Sequence, residues 1–271
     1  MLTAEPTEAR LHLGTSGFSY GDWRGPFYPS HLRKDQWLEF YATKFETVEV
    51  NSTYYRVAAP RTYEKMRQRV PDSFLFSVKA PGTLTHQRGR DPRTVATAFL
   101  ESVAPLGDGP ILLQFPYSFR WSPQNRVYLA RAIDALGHER SVFEPRHSSW
   151  LRDSVFEGLA QRGVAWCAVD LPALPGLPGA TEHVTGDWAY IRLHGRNQAT
   201  WWKHEHAWQR YDYTYTADEL KPWVPRIRKM LESASRVHIY ANNHFQGQAI
   251  DTLGQLSTLL RQTNAVKISE E

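Results

Sequence analysis

The sequence predicts an α/β protein made of a single (β/α)8 TIM-type barrel. Three observations carry this: eight β-rich runs spread along the chain, helix-start signals between most of them, and polar residues gathered where the runs end. The runs are Leu11 to Thr15, Thr47 to Asn51, Phe74 to Lys79, Ile111 to Phe115, Ser141 to Glu144, Val164 to Asp170, Trp188 to Leu193 and Val237 to Asn242. After the first run, Trp37, Tyr41 and Phe45 share one helical stripe, with Phe40 beside it. Pro60 suits a first helical turn, and Asp91 before Pro92 and Ser122 before Pro123 read as N-caps followed by proline at the first helical position. Thr216 with Glu219 fits a capping box. Two connections break the alternation. The segment from Leu171 to Ala180 holds Pro172, Pro175 and Pro178, which predicts an irregular sixth crossover. The stretch from Gly195 to Tyr215, rich in tryptophan and tyrosine, reads as a long lid or binding loop. Residues after about Gln262 read as a frayed tail, so residues 1–271 form one domain with an ordered core of about 11–262.

Composition supports this class. Of 271 residues, 41% are hydrophobic, enough for a sizeable core and too many for intrinsic disorder. Met1 to Arg10 lacks the apolar centre of a secretory signal, and no apolar run approaches the roughly 18 residues of a membrane span. A soluble, cytoplasmic protein without membrane association is expected. One cysteine, Cys167, excludes an intrachain disulfide framework and cysteine-rich zinc sites. Lysine and arginine total 32 against 28 acids, a net charge of +4 that is too mild to define a partner.

Side-chain alternation is more informative. Successive residues of a barrel strand face the lumen and the helices in turn. In the second strand Val48 and Val50 share one face, so Thr47, Glu49 and Asn51 should look inward. The same reading turns His12 and Gly14, Ser77 and Lys79, Gln114, Glu144, Asp170, Arg192 and His194, and His238, Tyr240 and Asn242 inward. The charged members cluster at the strand ends, where barrel enzymes carry their sites. Unpaired ions there would cost several kcal/mol each, so these groups should pair with one another or with a ligand.

The strand-end motifs resemble the domain-of-unknown-function 72 family of YecE-like TIM-barrel proteins. They are Gly14-Thr15-Ser16-Gly17-Phe18-Ser19-Tyr20 with Trp23, Glu49-Val50-Asn51-Ser52-Thr53-Tyr54-Tyr55, Gln114-Phe115-Pro116, Phe143-Glu144-Pro145-Arg146-His147-Ser148-Ser149-Trp150, Arg192-Leu193-His194-Gly195-Arg196 and Tyr240-Ala241-Asn242-Asn243-His244. The resemblance spans about residues 11 to 260 and implies a TIM-type barrel. It also implies a fold similar to that of endonuclease IV, a metal-dependent DNA-repair phosphodiesterase, and through that analogy a nucleic-acid role.

Several chemistries fit such a mouth. His147, His194 and His244 with Glu49, Glu144 and Asp170 offer nitrogen and oxygen ligands for one divalent metal ion, while Arg192, Arg146 and Lys79 offer to neutralise the same carboxylates. Without metal, Glu144 and His194 form the preferred acid–base pair, with Arg192 placed to hold an anion. Arg88, Arg90, Arg93, Arg146, Arg196 and Lys203 outnumber the carboxylates in the mouth loops, which favours an anionic ligand. Phe18, Tyr20, Trp23, Tyr54, Tyr55, Trp150, Trp201, Trp202, Tyr213 and Tyr215 could stack on bases or sugars, or pack under the loops. Neither a P-loop nor a dinucleotide fingerprint is present, so no nucleotide cofactor is expected.

The leading expectation is a hydrolase-type, phosphodiesterase-like enzyme acting on a nucleic acid, nucleotide or other phosphorylated small molecule. Glu144, His194, Glu49 and Asp170 form its catalytic set. Arg146, Arg192, Arg196, Asn51, Asn242, Lys79, Tyr20, Trp23 and Trp150 contact substrate. Two alternatives stay open: a non-catalytic nucleic-acid-binding barrel, and a carbohydrate-active enzyme using Glu49 and Glu144 as paired carboxylates.

Overall fold

The computed structural model describes residues 10–262, so the tail expected after Gln262 lies outside the described residues. Among the described residues eight strands form: β1 (Arg10–Ser16), β2 (Thr47–Val50), β3 (Leu75–Lys79), β4 (Ile111–Gln114), β5 (Ser141–Glu144), β6 (Ala165–Asp170), β7 (Trp188–Leu193) and β8 (Arg236–Ala241). All neighbours pair parallel in chain order, and β1 pairs β8 to close the barrel. At the β1–β2 seam, Gly14 lies opposite Thr47, and a Cβ at Gly14 would sit 2.3 Å from the Thr47 carbonyl oxygen. Only glycine admits that approach.

The helices are α1 (Trp37–Ala42), α2 (Ser52–Tyr55), α3 (Pro60–Arg67), α4 (Pro92–Val103), α5 (Pro123–Leu136), α6 (Asp153–Ala160), α7 (Ala217–Leu220), α8 (Trp223–Leu231) and α9 (Gln248–Gln262). Their starts follow the sequence signals. Asp91 accepts a hydrogen bond from the Thr94 amide, Ser122 from the Asn125 amide, and Thr216 and Glu219 cap each other reciprocally. The proline-bearing crossover from β6 to β7 holds no helix. After β7 the long excursion contains one 3-10 turn, Ala207–Tyr211, before α7. No described helix is long and apolar enough to cross a membrane.

Alternation along the strands divides the apolar residues into two cores. Phe76, Ile111, Leu113, Phe143, Trp166, Ile191 and Ile239 face outward and pack with helical residues such as Phe99, Ile133, Leu159, Ile227 and Leu253. Leu112, Val142, Ala165, Cys167, Val169, Tyr190 and Tyr240 fill the lumen. The lumen's hydroxyl groups pair across it: Thr47 Oγ1 lies 2.7 Å from the Tyr240 hydroxyl, and Ser77 Oγ lies 2.7 Å from that of Tyr190. Nearer the strand starts, the His12 and His238 rings stack with centroids 4.9 Å apart.

β6 departs from the expected alternation. Its inward residues are Ala165, Cys167 and Val169, so Asp170 falls on the outward face. The sequence run around it, Ala-Trp-Cys-Ala-Val-Asp, is apolar on both faces, as buried parallel strands commonly are, and alternation therefore left its register undetermined.

Candidate functional site: a cationic cavity over a sealed ion network

Arg192 at the end of β7 organises the mouth. Its guanidinium bridges two carboxylates: Nη2 donates to Glu49 at 2.7 Å and Nη1 to Glu144 at 2.8 Å, with Ser16 Oγ 3.2 Å from Nη2. Glu49 also accepts from the Tyr190 hydroxyl at 2.7 Å. Glu144 receives Arg146 Nε on its other oxygen, together with His194 Nε2 at 3.2 Å. Asn242 Nδ2 lies 2.9 Å from His194 Nδ1. With the amide donating, Nδ1 accepts and the neutral imidazole is left to donate from Nε2 to Glu144.

Glu49, Glu144 and His194 have no exposed surface. Burial works against the Glu144 charge, but Arg146, Arg192 and His194 more than offset it and hold its carboxyl well below the ordinary range. Burial and then Arg146 push His194 well below its ordinary value, so the ring is neutral at pH 7. The Cys167 thiol beneath them is driven well up by burial and is inert as a nucleophile.

Above this network opens a cavity of about 530 Å³, a size usual for small-molecule sites. Lys79, Arg146, Arg192, Asn51 and Asn242 come from the barrel, while Gly17, Phe18, Ser19 and Tyr20 come from the loop after β1. Gly17 has φ +90°, and a Cβ there would meet the Tyr20 hydroxyl at 2.6 Å, so this turn requires glycine. Tyr55, Trp208, Tyr211 and His244 complete the walls, and among the described residues no carboxylate lines the cavity. Tyr20 stacks on His244 with centroids 4.4 Å apart, and Trp23 Nε1 donates to the His244 carbonyl at 2.6 Å.

Three lining groups have distinctive chemistry. Lys79 Nζ lies 4.3 Å from the Tyr54 ring centroid, and its amine forms no ion pair or hydrogen bond among the described residues. Burial, then Arg192 and Arg146, lower it to about 7. Tyr211 is raised by burial but lowered more by Arg146, Arg210 and Arg192, for a net downward shift. Burial lowers His244 to about 4, and its Nδ1 is buried without a hydrogen-bond partner. Asn51 Oδ1 is likewise buried and unpartnered, in the cavity wall.

The structure thus brings Lys79, Arg146, Arg192, Asn51, Asn242 and Tyr20 together around one cavity, and seats Glu49, Glu144 and His194 under its floor. Four other expected site residues lie elsewhere. Asp170 points outward and accepts from Arg196 Nε and Nη2 at 2.7 Å each, the Tyr215 hydroxyl at 2.8 Å and Trp223 Nε1 at 2.7 Å. Arg196 is thereby turned away from the cavity. Trp23 is wholly buried under the β1 loop, and Trp150 is buried against Phe119, donating to its carbonyl at 2.6 Å. Asp170→Asn should therefore cost about 2–3 kcal/mol of stability, the scale for a hydrogen-bonded buried charge, while leaving ligand affinity at the mouth unchanged. Urea unfolding alongside anion titration would check this.

The expected ligand set for a divalent ion does not converge: among the described residues no group of three or more His, Cys, Asp or Glu side chains is placed to hold a metal. Glu49 and Glu144 share one guanidinium below the cavity floor, so they do not flank a substrate as glycosidase carboxylates do. The expected basic rim is also thinned, since Arg88 lies over the Phe119 ring at 4.9 Å and does not line the cavity. Tyr211 and Trp208 line the cavity although no sequence motif singles them out. Strand alternation cannot reach them; only the length of the loop they occupy marked it as functional.

The comparisons agree with this architecture. Residues 12–271 match the family model "Protein of unknown function DUF72". UPF0759 protein YunF of Bacillus subtilis is 27% identical over 269 residues, covering 92% of this chain and 94% of that protein. UPF0759 protein YecE of Escherichia coli K12 is 33% identical over 136 residues, 47% of this chain and 49% of that one. A crystal structure of a DUF72 family protein from Thermotoga maritima is 35% identical, with TM-score 0.85, covering 93% of this chain and 99% of its own. With a family match over nearly its whole length and the eight-stranded closed barrel to go with it, the chain belongs to the DUF72 family.

Proposed function

We propose that the barrel mouth binds a small phosphate-bearing molecule and is the reaction site of an enzyme acting on it. The observation that supports this is the charge of the cavity lining: Lys79, Arg146 and Arg192, with no carboxylate among the described residues. Two carboxylates below the floor offset two of those three charges and orient the arginines, leaving Lys79 as the surplus cation when protonated. Arg146 uses Nε on Glu144; its Nη2 lies 3.3 Å from His194 Nε2, whose proton goes to Glu144, and its Nη1 has no partner among the described residues. The buried, unpartnered Asn51 Oδ1 in the wall of the same cavity is ready to accept from a ligand hydroxyl. The aromatic walls, Tyr20, Tyr55, Trp208 and Tyr211, suit a flat or apolar remainder of the ligand.

The volume favours a ligand of nucleotide size or smaller over a duplex. The expected hydrolytic pair, Glu144 and His194, lies beneath the floor and acts in this reading as a positioning pair for Arg146 and Arg192. Proton transfer at the ligand falls to Lys79, Tyr211 and His244, which line the cavity. Hydrolysis of a phosphate ester would place the phosphoryl group on the arginines with one of these groups taking a proton from water.

Sulfate tests the anion site without titrating near neutrality. Calorimetric titration at constant ionic strength should show binding, weakened about 10- to 100-fold by Arg146→Gln, the scale of a charge-assisted hydrogen bond. Affinity should also rise from pH 8 to pH 6 as Lys79, lowered to about 7, gains its proton. Sulfate indistinguishable from chloride would refute the proposal. Exposed rings at Tyr55 (82% exposed) and Trp202 (47% exposed) favour a second reading, single-stranded nucleic acid stacked on the rim. That reading requires oligonucleotide binding that weakens steeply with salt.

A further inference from the structure

We infer that Lys79 is a nucleophile that captures the carbonyl carbon of a small phosphate-bearing aldehyde or ketone as an imine, an inference that rests on the anion-binding reading of the mouth. A lysine amine becomes nucleophilic where it is desolvated or set beside other cations without a carboxylate to hold its proton. Lys79, half-buried in the cavity wall beside two arginines, meets the second condition and in part the first. Its backbone is fixed at the end of β3, where the carbonyl accepts from Thr53 Oγ1 at 2.6 Å. Its Nζ faces the Tyr54 ring, with Arg146 and Arg192 in the same cavity wall. Glu49 and Glu144 are the acids of this region, and both are already bound to those arginines. His86, stacked edge-on to Tyr54 at 4.9 Å, is itself lowered to about 4 by burial, then Lys79 and Arg146, and is neutral at pH 7.

The chemistry balances without any oxidant or metal. The neutral amine lone pair forms the C–N bond, the nitrogen gives up one proton, and the carbonyl oxygen takes up one in its place to give a neutral carbinolamine. The C–O bond then breaks, and oxygen leaves as water carrying a second proton. The product is a protonated iminium, so one amine, one carbonyl and one proton give one iminium and one water. Tyr211, lining the same cavity and shifted downward by Arg146, Arg210 and Arg192, is the phenol placed to give and recover the proton. Arg146 holds the phosphate, which places the carbonyl toward Lys79.

The probe is glycolaldehyde phosphate with cyanoborohydride, compared with glycolaldehyde, on the intact protein. Peptide mass spectrometry then locates the reduced adduct. The expected result is modification of Lys79 at least about tenfold faster than of exposed Lys34, Lys44, Lys65, Lys203, Lys221 or Lys229 at pH 7. The preference should require the phosphate, follow a midpoint near pH 7 as Lys79 deprotonates, and vanish in Lys79→Met. The pH profile of the wild-type protein keeps the test decisive even where that variant misfolds. Even labelling of all lysines while sulfate still binds would overturn imine formation and leave the anion site standing. Failure of sulfate to bind would overturn the anion site itself, and Lys79 labelling indifferent to phosphate would overturn the substrate class.

Discussion

Arg192→Met should destabilise the protein by about 3–5 kcal/mol at pH 7, the cost of leaving buried charge without its partner. Glu49 and Glu144 are both fully buried, and Arg192 is the cation they share. Glu144 would keep Arg146, whereas Glu49 would keep only the Tyr190 hydroxyl. Most of the loss should therefore track Glu49. The double variant Glu49→Gln/Arg192→Met should recover a substantial part of it, because a neutral amide in the same place carries no uncompensated charge. Urea unfolding of wild type, both single variants and the double variant closes the cycle. A single-variant loss under about 1 kcal/mol would mean that water reaches the network and that the floor of the site is not sealed. The same network has a functional consequence: it keeps the guanidinium groups of Arg146 and Arg192 in one orientation before any ligand arrives.

How much of this was legible in the sequence depends on which physical rule each residue obeys. Strand positions follow alternation and turn chemistry, both local, so the sequence alone assigns Thr47, Glu49, Ser77, Lys79, Glu144, Arg192, His238 and Tyr240 to the lumen side. Asp170 escaped because β6 is apolar on both faces, leaving alternation nothing to distinguish. Trp23, Trp150 and Trp201 lie in loop segments yet are buried at 1% exposure or less, since a loop folded over a barrel end builds its own apolar contacts. The distinction between carboxylates that face a ligand and carboxylates that brace an arginine was also beyond reach. Glu49 and Glu144 have the same position in the pattern either way, and only the distances to Arg192 separate the two roles. Tyr211 enters the cavity through the path of a long loop, which no periodicity encodes.

Acidification from pH 7 to pH 5 should remove on the order of 6 kcal/mol of stability, comparable with the whole stability of many domains. His194, His238 and His244 are all lowered, the first two well below the ordinary histidine value and the third to about 4, and the more exposed His86, also lowered to about 4 by burial, adds a smaller loss in the same window. Burial is the leading cause in each, reinforced at His238 by His12 stacked against it. A histidine whose folded value is depressed contributes stability that is complete above its unfolded value of about 6.5 and is lost as pH falls toward the folded value. The unfolded chain takes up protons in that window and the folded chain does not, at roughly 2 kcal/mol by pH 5 for a ring whose folded value lies below 5. Glu144, also depressed, adds its loss only below about pH 4.3, so the histidine window stands apart from it. Melting temperature should fall by on the order of 15 °C between pH 7 and pH 5. His238→Phe separates the contributions. Neither His238 ring nitrogen has a hydrogen-bond partner among the described residues, and its neighbours His12, Tyr190 and Tyr240 are rings, so phenylalanine preserves the stacking. That variant should be as stable as wild type or more so at pH 7, and should show roughly a quarter to a third less loss on acidification. A stability unchanged between pH 7 and pH 5 would show that these rings are protonated in the folded protein, and the neutral His194 that positions Arg146 through Glu144 would have to be abandoned with them.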